Sequence, residues 1–237
     1  MSPHPDPFDL AQDRPLPGAE GKSRFWERIF GSGCPVEIEI GPGTGTFILP
    51  AARARPQINF YGLEQSRSLA SRLQSAIETQ GIGNALVINA DAACIVATLI
   101  PAECVAAYHI YFPDPWWKRR HHRRRLFTPS FAAALARTLV AGGRLYIATD
   151  VEEVLQLALR ALAYCGTFVR DERAHSPRLG LTAFERKGIA RGAAIREATF
   201  VRNGSLQPHT SSAAPITPAE SPSALRRIGV RSSSLNT

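Results

Sequence analysis

The 237 residues fit one domain with modest extensions, because a single core stops growing only at roughly 250 to 300 residues. Lys and Arg outnumber Asp and Glu by 28 to 20, a formal net charge of +8, which is the sign expected of a chain with a polyanionic partner. No apolar stretch reaches the roughly 20 residues of a membrane helix, and the opening, with Asp6, Asp9, Asp13 and several prolines, lacks the order of a secretory signal; a soluble, cytoplasmic protein without a membrane partner is expected.

Residues 1–21 are rich in Pro, Asp and Gly and are expected to be a disordered extension. A short amphipathic helix is predicted over 22–30, with Phe25, Trp26, Ile29 and Phe30 on one side and Arg24 and Arg28 on the other, either packed on the core or touching a partner. Strands then follow over 36–40, 59–63, 86–88, 105–111 and 144–148, with helices over 47–54, 66–80, 92–99 and 129–139 between them. A helix over 151–164 and strands over 167–170 and 196–202 complete a count of seven strands. Alternation of this kind predicts a Rossmann-like α/β fold, a mostly parallel sheet with helices on both faces, within a single domain over 22–202. Thr128 and Pro129 mark the start of the fourth of these inter-strand helices, and Gly142 and Gly143 lie beyond its end. Residues 203–237, rich in Ser, Thr, Pro and Ala, are expected to be a disordered tail. The four cysteines stand singly, without metal-ligand spacing, and read as reduced core thiols; no metal site is expected.

The chemistry concentrates at the ends of the early strands. Glu39-Ile40-Gly41-Pro42-Gly43-Thr44-Gly45 follows the first strand and opens a helix, placing three glycines where the backbone must turn sharply and approach a ligand. A dinucleotide fingerprint needs glycine at position 46, where this chain has Thr46, so the spacing favours S-adenosylmethionine over a nicotinamide cofactor. Glu64 ends the second strand, about twenty residues on, where a carboxylate can hold a ribose through both hydroxyls. Asp91 closes the third strand and either receives an adenine amino group or caps the next helix. At the end of the fourth strand, prolines flank Asp114 in Tyr111-Phe112-Pro113-Asp114-Pro115-Trp116-Trp117-Lys118, which restricts its backbone, and the aromatics beside it can stack on a base. Lys118, Arg119, Arg120, Arg123, Arg124 and Arg125, with His121 and His122 among them, form an uninterrupted basic run suited to RNA phosphates.

These residues resemble the bacterial tRNA (guanine-N7-)-methyltransferase family. The resemblance rests on the Glu39 to Gly45 loop, Gly62-Leu63-Glu64, Asn89-Ala90-Asp91-Ala92, the Pro-Asp-Pro-Trp stretch with its basic tail, Thr149-Asp150, and Leu181-Thr182-Ala183-Phe184-Glu185-Arg186-Lys187-Gly188, within about residues 36–202. It implies transfer of a methyl group from S-adenosylmethionine to N7 of a guanine in tRNA, in the variable loop. Glu39, Gly41, Gly43, Glu64, Asp91 and Asp114 would bind the cofactor, with Asp114 also catalytic; Lys118, Asp150, Thr182, Ala183, Phe184 and Glu185 would contact the target nucleotide. The chain departs from the family pattern at Pro42 and Thr44 in the loop, at Trp117 where His is usual, and at Ala183 where Lys is common. A monomer or homodimer is expected. The rival readings are a nicotinamide-dependent oxidoreductase, an RNA-binding protein that no longer catalyses, and a methyltransferase for another RNA or a protein.

Overall fold

The computed structural model describes residues 19–116, 119–177, 185, 189–190, 192 and 194–204. Both expected disordered tails therefore lie almost wholly outside the described residues.

Seven strands form one sheet: β1 (Val36–Ile40), β2 (Asn59–Glu64), β3 (Ala85–Asn89), β4 (Val105–Tyr111), β5 (Leu139–Thr149), β6 (Phe168–Arg170) and β7 (Arg196–Arg202). Their order is β3-β2-β1-β4-β5-β7-β6, with β7 antiparallel to both β5 and β6 and the other neighbours parallel. Every residue of β1 and β2 is buried, as strands covered on both faces must be. On one face, α1 (Ala19–Phe30), α4 (Ala92–Thr98), α5 (Pro129–Thr138) and α6 (Glu152–Cys165) enclose the larger apolar cluster, which includes Trp26, Ile95, Leu135 and Leu159. On the other, α2 (Ile48–Ala54) and α3 (Arg67–Thr79) enclose a second around Ile48, Phe60, Leu73 and Ile77. Ala70, Leu73 and Ile77 recur on one side of α3 and are its buried residues, so amphipathic spacing and sheet packing agree.

Of the two readings left open for the first helix, core packing is the observed one. Trp26 is buried and its indole Nε1 donates to the Cys104 carbonyl at 2.8 Å. At α5 the start follows the sequence signal, with Thr128 Oγ1 accepting from the Phe131 amide and Pro129 in the first turn. Its end differs from expectation. Strand β5 begins at Leu139, not 144, and the Arg137 and Thr138 carbonyls accept from the Glu103 and Cys104 amides. Gly142 and Gly143 thus lie inside a strand whose register shifts against β4, instead of closing the helix. A Cβ at Gly143 would meet the Val140 carbonyl at 2.9 Å and the Ala106 carbonyl at 3.1 Å, so close backbone approach is what requires the glycine. The expectation of core thiols also needs correction: Cys165 is buried, Cys34 and Cys104 are half-buried, and Cys94 is exposed on α4. Among the described residues no helix is long and apolar enough to cross a membrane.

Candidate active site

Strand order reverses direction between β1 and β4, and the crevice beyond the carboxyl ends of such neighbouring strands is where open sheets bind ligands. A cavity of about 550 Å³ lies there, within the range of small-molecule sites. Its wall brings together Gly41, Glu64, Asp91, Asp114, Trp116 and Arg124.

The glycine loop is shaped by hydrogen bonds to its neighbours. The Gly41 amide donates to the Leu63 carbonyl at 2.9 Å, and the Gly43 amide to Glu64 Oε2 at 3.0 Å. Glu64 Oε1 accepts from the Ser66 amide at 2.7 Å, so one carboxylate ties the loop to the turn after β2. Gly45, with φ of +81°, lies so close to α3 that a Cβ would clash with Leu73 Cδ1 and meet Leu49 at 3.0 Å. Glu39 and Gly43 stand behind the cavity wall: Glu39 is buried beneath the loop and accepts from the Ile48 amide at the start of α2. Burial pushes the Glu39 carboxyl up, the Ile48 bond opposes this, and the nearby Glu64 charge adds to it, to about 8. Its Oε2 is buried without a hydrogen-bond partner.

Asp91 serves as the helix cap that the sequence allowed. Its Oδ1 accepts from the Ala93 and Cys94 amides at 2.8 and 3.2 Å. Oδ2 takes part in neither bond, so capping does not preclude a contact to ligand. Asp114 is exposed in the cavity wall between two αL residues, Phe112 at φ +51° and Trp116 at φ +46°. Bulky side chains rarely adopt that conformation, and it occurs where surrounding structure over-determines it. The Phe112 amide still donates to the Ala148 carbonyl at 2.8 Å, which prolongs the β4–β5 pairing through the kink.

The basic run does more than present charge. Arg119–Arg124 form a 3₁₀ helix, and Arg124 and Trp116 meet across the cavity mouth, the guanidinium 4.9 Å from the ring centroid. Arg125 is drawn inward to Glu153 of α6 at 2.7 Å, so it anchors the segment. Arg124 in the cavity wall was legible only as part of a phosphate-binding run. Of the aromatics expected to stack on a base, Tyr111 and Trp116 both line the cavity, Tyr111 largely buried with its hydroxyl hydrogen-bonded to His109, and Trp117 lies outside the described residues. Asp150, half-buried, follows the end of β5 beside β4 and is not in this wall. Glu185 is fully buried, whereas Lys118, Thr182, Ala183 and Phe184 lie outside the described residues.

Sequence reasoning missed the polar network behind the site. Glu37 Oε2 lies 2.8 Å from His109 Nε2, Arg55 reaches Glu37 Oε1 at 2.9 Å, His109 Nδ1 is 2.8 Å from the Tyr111 hydroxyl, and that hydroxyl is 2.7 Å from Ser176 Oγ. Burial pushes the Glu37 carboxyl up, but His109 and Arg55 outweigh it and hold the group below its ordinary value. Burial likewise holds the His109 imidazole below its ordinary value, against the pull of Glu37. The available signal was a Glu and a His within otherwise apolar central strands, since buried polar groups require partners.

The Methyltransf_4 methyltransferase family model matches residues 34–198. A tRNA (guanine-N(7)-)-methyltransferase of Cupriavidus pinatubonensis is 35% identical over 76% of this chain and 72% of its own length. The chain belongs to that family of tRNA (guanine-N7-)-methyltransferases. The relative from Verminephrobacter eiseniae is 36% identical over 73% of this chain, an alignment spanning 64% of that relative, and the one from Treponema pallidum strain Nichols is 36% identical over 71% of this chain and 67% of its own length. Solved structures bear out the fold of the methyltransferase: the 16S rRNA methyltransferase KamB superposes with a TM-score of 0.56 at 17% identity, covering 76% of this chain and 93% of that one. TrmN from Thermus thermophilus does so with 0.51 at 18% identity, covering 82% of this chain and 52% of that one. Family and fold make S-adenosylmethionine the methyl donor. The residues at the cavity suit a cationic donor: carboxylates from three strand ends converge there, above a buried glutamate with an unpartnered oxygen.

Proposed function

We propose that this methyltransferase acts in the cytoplasm on N7 of a guanine in the variable loop of tRNA, with 22–202 as its catalytic domain. The observation that carries this reading is the single cavity whose wall joins the glycine loop, Glu64 and Asp91 to Asp114, Trp116 and Arg124. S-adenosylmethionine, when bound, supplies an activated methyl group on a sulfonium centre. Gly41 and Glu64 would hold the donor's ribose end, Gly43 would set the loop through its bond to Glu64, and Asp91 would receive the adenine amino group. Glu39 would act from beneath, as a carboxyl whose ionisation a nearby cation favours.

Guanine N7 carries an exposed lone pair and no proton, so the protein's task is alignment, which can contribute about 7 to 11 kcal/mol. Asp114 would accept from the Watson–Crick-edge donors of the guanine, and Trp116 would stack on the base once it is loosened from the RNA fold. Lys118 and the arginines that follow would read phosphate, with affinity falling steeply as salt rises. Asp150 and Thr182, Ala183, Phe184 and Glu185 would complete the contacts to the nucleotide.

The test is incubation with unmodified tRNA and labelled S-adenosylmethionine, followed by cleavage selective for 7-methylguanosine. Label at one guanine of the variable loop is expected; label elsewhere would discard the proposed target. Asp114→Asn should retain donor binding by calorimetry and lose about a hundredfold in transfer, whereas unchanged turnover would remove Asp114 from the mechanism.

A further inference from the structure

The hydrogen-bond chain behind the site has one permitted direction. Held below its ordinary value, Glu37 is an ionised carboxylate, which can only accept, so His109 presents its proton at Nε2. Nδ1 is then a lone pair, and the Tyr111 hydroxyl donates to it. The Tyr111 oxygen is left to accept from the Ser176 hydroxyl. Glu37 is fixed in turn by Arg55, and the His109 ring lies between Tyr146, stacked at 5.1 Å, and Phe47 at 4.3 Å. The imidazole therefore has no other orientation that keeps both bonds.

The outer end of this chain joins the cavity wall to a segment distant in sequence. Tyr111 is the last residue of β4, immediately before the αL kink at Phe112 that leads to Asp114 in the cavity wall. Ser176 closes the segment after β6, a compact turn in which Asp171 Oδ1 accepts from the Arg173 and Ala174 amides at 3.1 and 3.2 Å. Residues 182–185, which the family resemblance assigns to the target nucleotide, follow a few positions later. A 2.7 Å bond between Tyr111 and Ser176 thus spans 65 residues of sequence and ties the end of β4, just before the Asp114 turn, to the segment that follows β6.

We propose that Tyr111 and Ser176, oriented by His109 and Glu37, are positioning residues that fix the Asp114 turn against the 171–177 segment. This rests on the tRNA methyltransferase reading above. The Tyr111 ring itself lines the cavity, so the positioning role belongs to its hydroxyl, bonded to His109 and Ser176, and deleting that hydroxyl while keeping the ring acts on transfer through the Asp114 turn. Its loss permits the two segments to drift apart, and misplacement of reacting groups lowers transfer without removing any group that touches the base.

Tyr111→Phe keeps the ring and deletes the hydroxyl; Ser176→Ala deletes the other partner; Ser176→Thr restores a hydroxyl. The first two should each lower kcat/KM for tRNA about tenfold, the double variant should be no worse than either, and Ser176→Thr should recover most of the loss. Donor affinity by calorimetry should stay within about twofold. Hydrogen exchange over 171–177 should accelerate in Tyr111→Phe and Ser176→Ala. Full activity of Tyr111→Phe, losses that multiply in the double variant, or losses that track donor affinity or melting temperature would each overturn the proposal. If the wild-type protein methylates no tRNA, the functional reading fails on its own, and exchange still decides the chain: unchanged protection of 171–177 in Tyr111→Phe refutes it.

Discussion

Glu37 and Glu39 lie two residues apart on β1 and so share a face of the sheet, both buried, yet their surroundings treat them in opposite ways. Glu37 has an imidazole and a guanidinium on its two oxygens and is held ionised. Glu39 has one backbone amide, an unpartnered oxygen and a neighbouring carboxylate, and its carboxyl is pushed up to about 8. Burial acts on both in the same direction, so partners decide the outcome. The satisfied glutamate belongs to the scaffold, and the unsatisfied one lies beneath the cavity with an oxygen that the protein leaves without a hydrogen-bond partner.

The comparison breaks most visibly at Glu37. Glu37→Ala strands the His109 N–H and the Arg55 guanidinium and should cost about 3 to 5 kcal/mol in urea unfolding; a loss below about 1 kcal/mol would show that the network stabilises little. At Glu39 the sign reverses with pH. The folded chain holds a proton that the unfolded chain releases above about 4.5, so wild-type stability should fall as pH rises from about 4.5 to about 8. Glu39→Gln should flatten that limb and be more stable than wild type at pH 8.5 by on the order of 1 to 2 kcal/mol, measured by melts across pH without donor. The depressed groups act on the acid side, where stability present above the ordinary Glu37 value is lost as pH falls through its lower folded value.

Donor binding sharpens the contrast at a smaller scale. A cation above the loop favours ionised Glu39, so donor affinity in the wild type should rise about threefold between pH 6.5 and 8.5, and this rise should vanish in Glu39→Gln; equal slopes in titration calorimetry would separate Glu39 from the donor. The smallest effect belongs to Arg125→Ala. Its pair with Glu153 is partly exposed, so its loss should cost less than about 1 kcal/mol. A cost matching that of Glu37→Ala would contradict the view that burial gives the Glu37 network its weight.

The sheet was legible because buried parallel strands read as apolar runs and helices as periodic ones; β1, β4 and β7 fall at the predicted bounds. The early start of β5 was not, because Leu139-Val140-Ala141 is equally apolar in a helix or a strand, and the choice falls to the amides of Glu103 and Cys104. Gly41, Glu64, Asp91 and Asp114 could be read as one site since each ends a strand or begins the turn beyond it. That Arg124 turns back onto Trp116 while Arg125 turns away to Glu153 could not, as adjacent identical residues differ only in what the fold places beside them. Tyr111 keeps the place in the cavity wall that its spacing offers, but the bonds of its hydroxyl to His109 and Ser176 could not be read from the sequence.

The contact of Gly45 with Leu49 and Leu73 makes the loop a casting of the apolar cluster beneath it. The loop has no independent shape to fall back upon. Natural variation in the packing of α2 and α3, far from any catalytic side chain, should therefore surface in cells as a hunger for more methyl donor long before it surfaces as an unfolded protein.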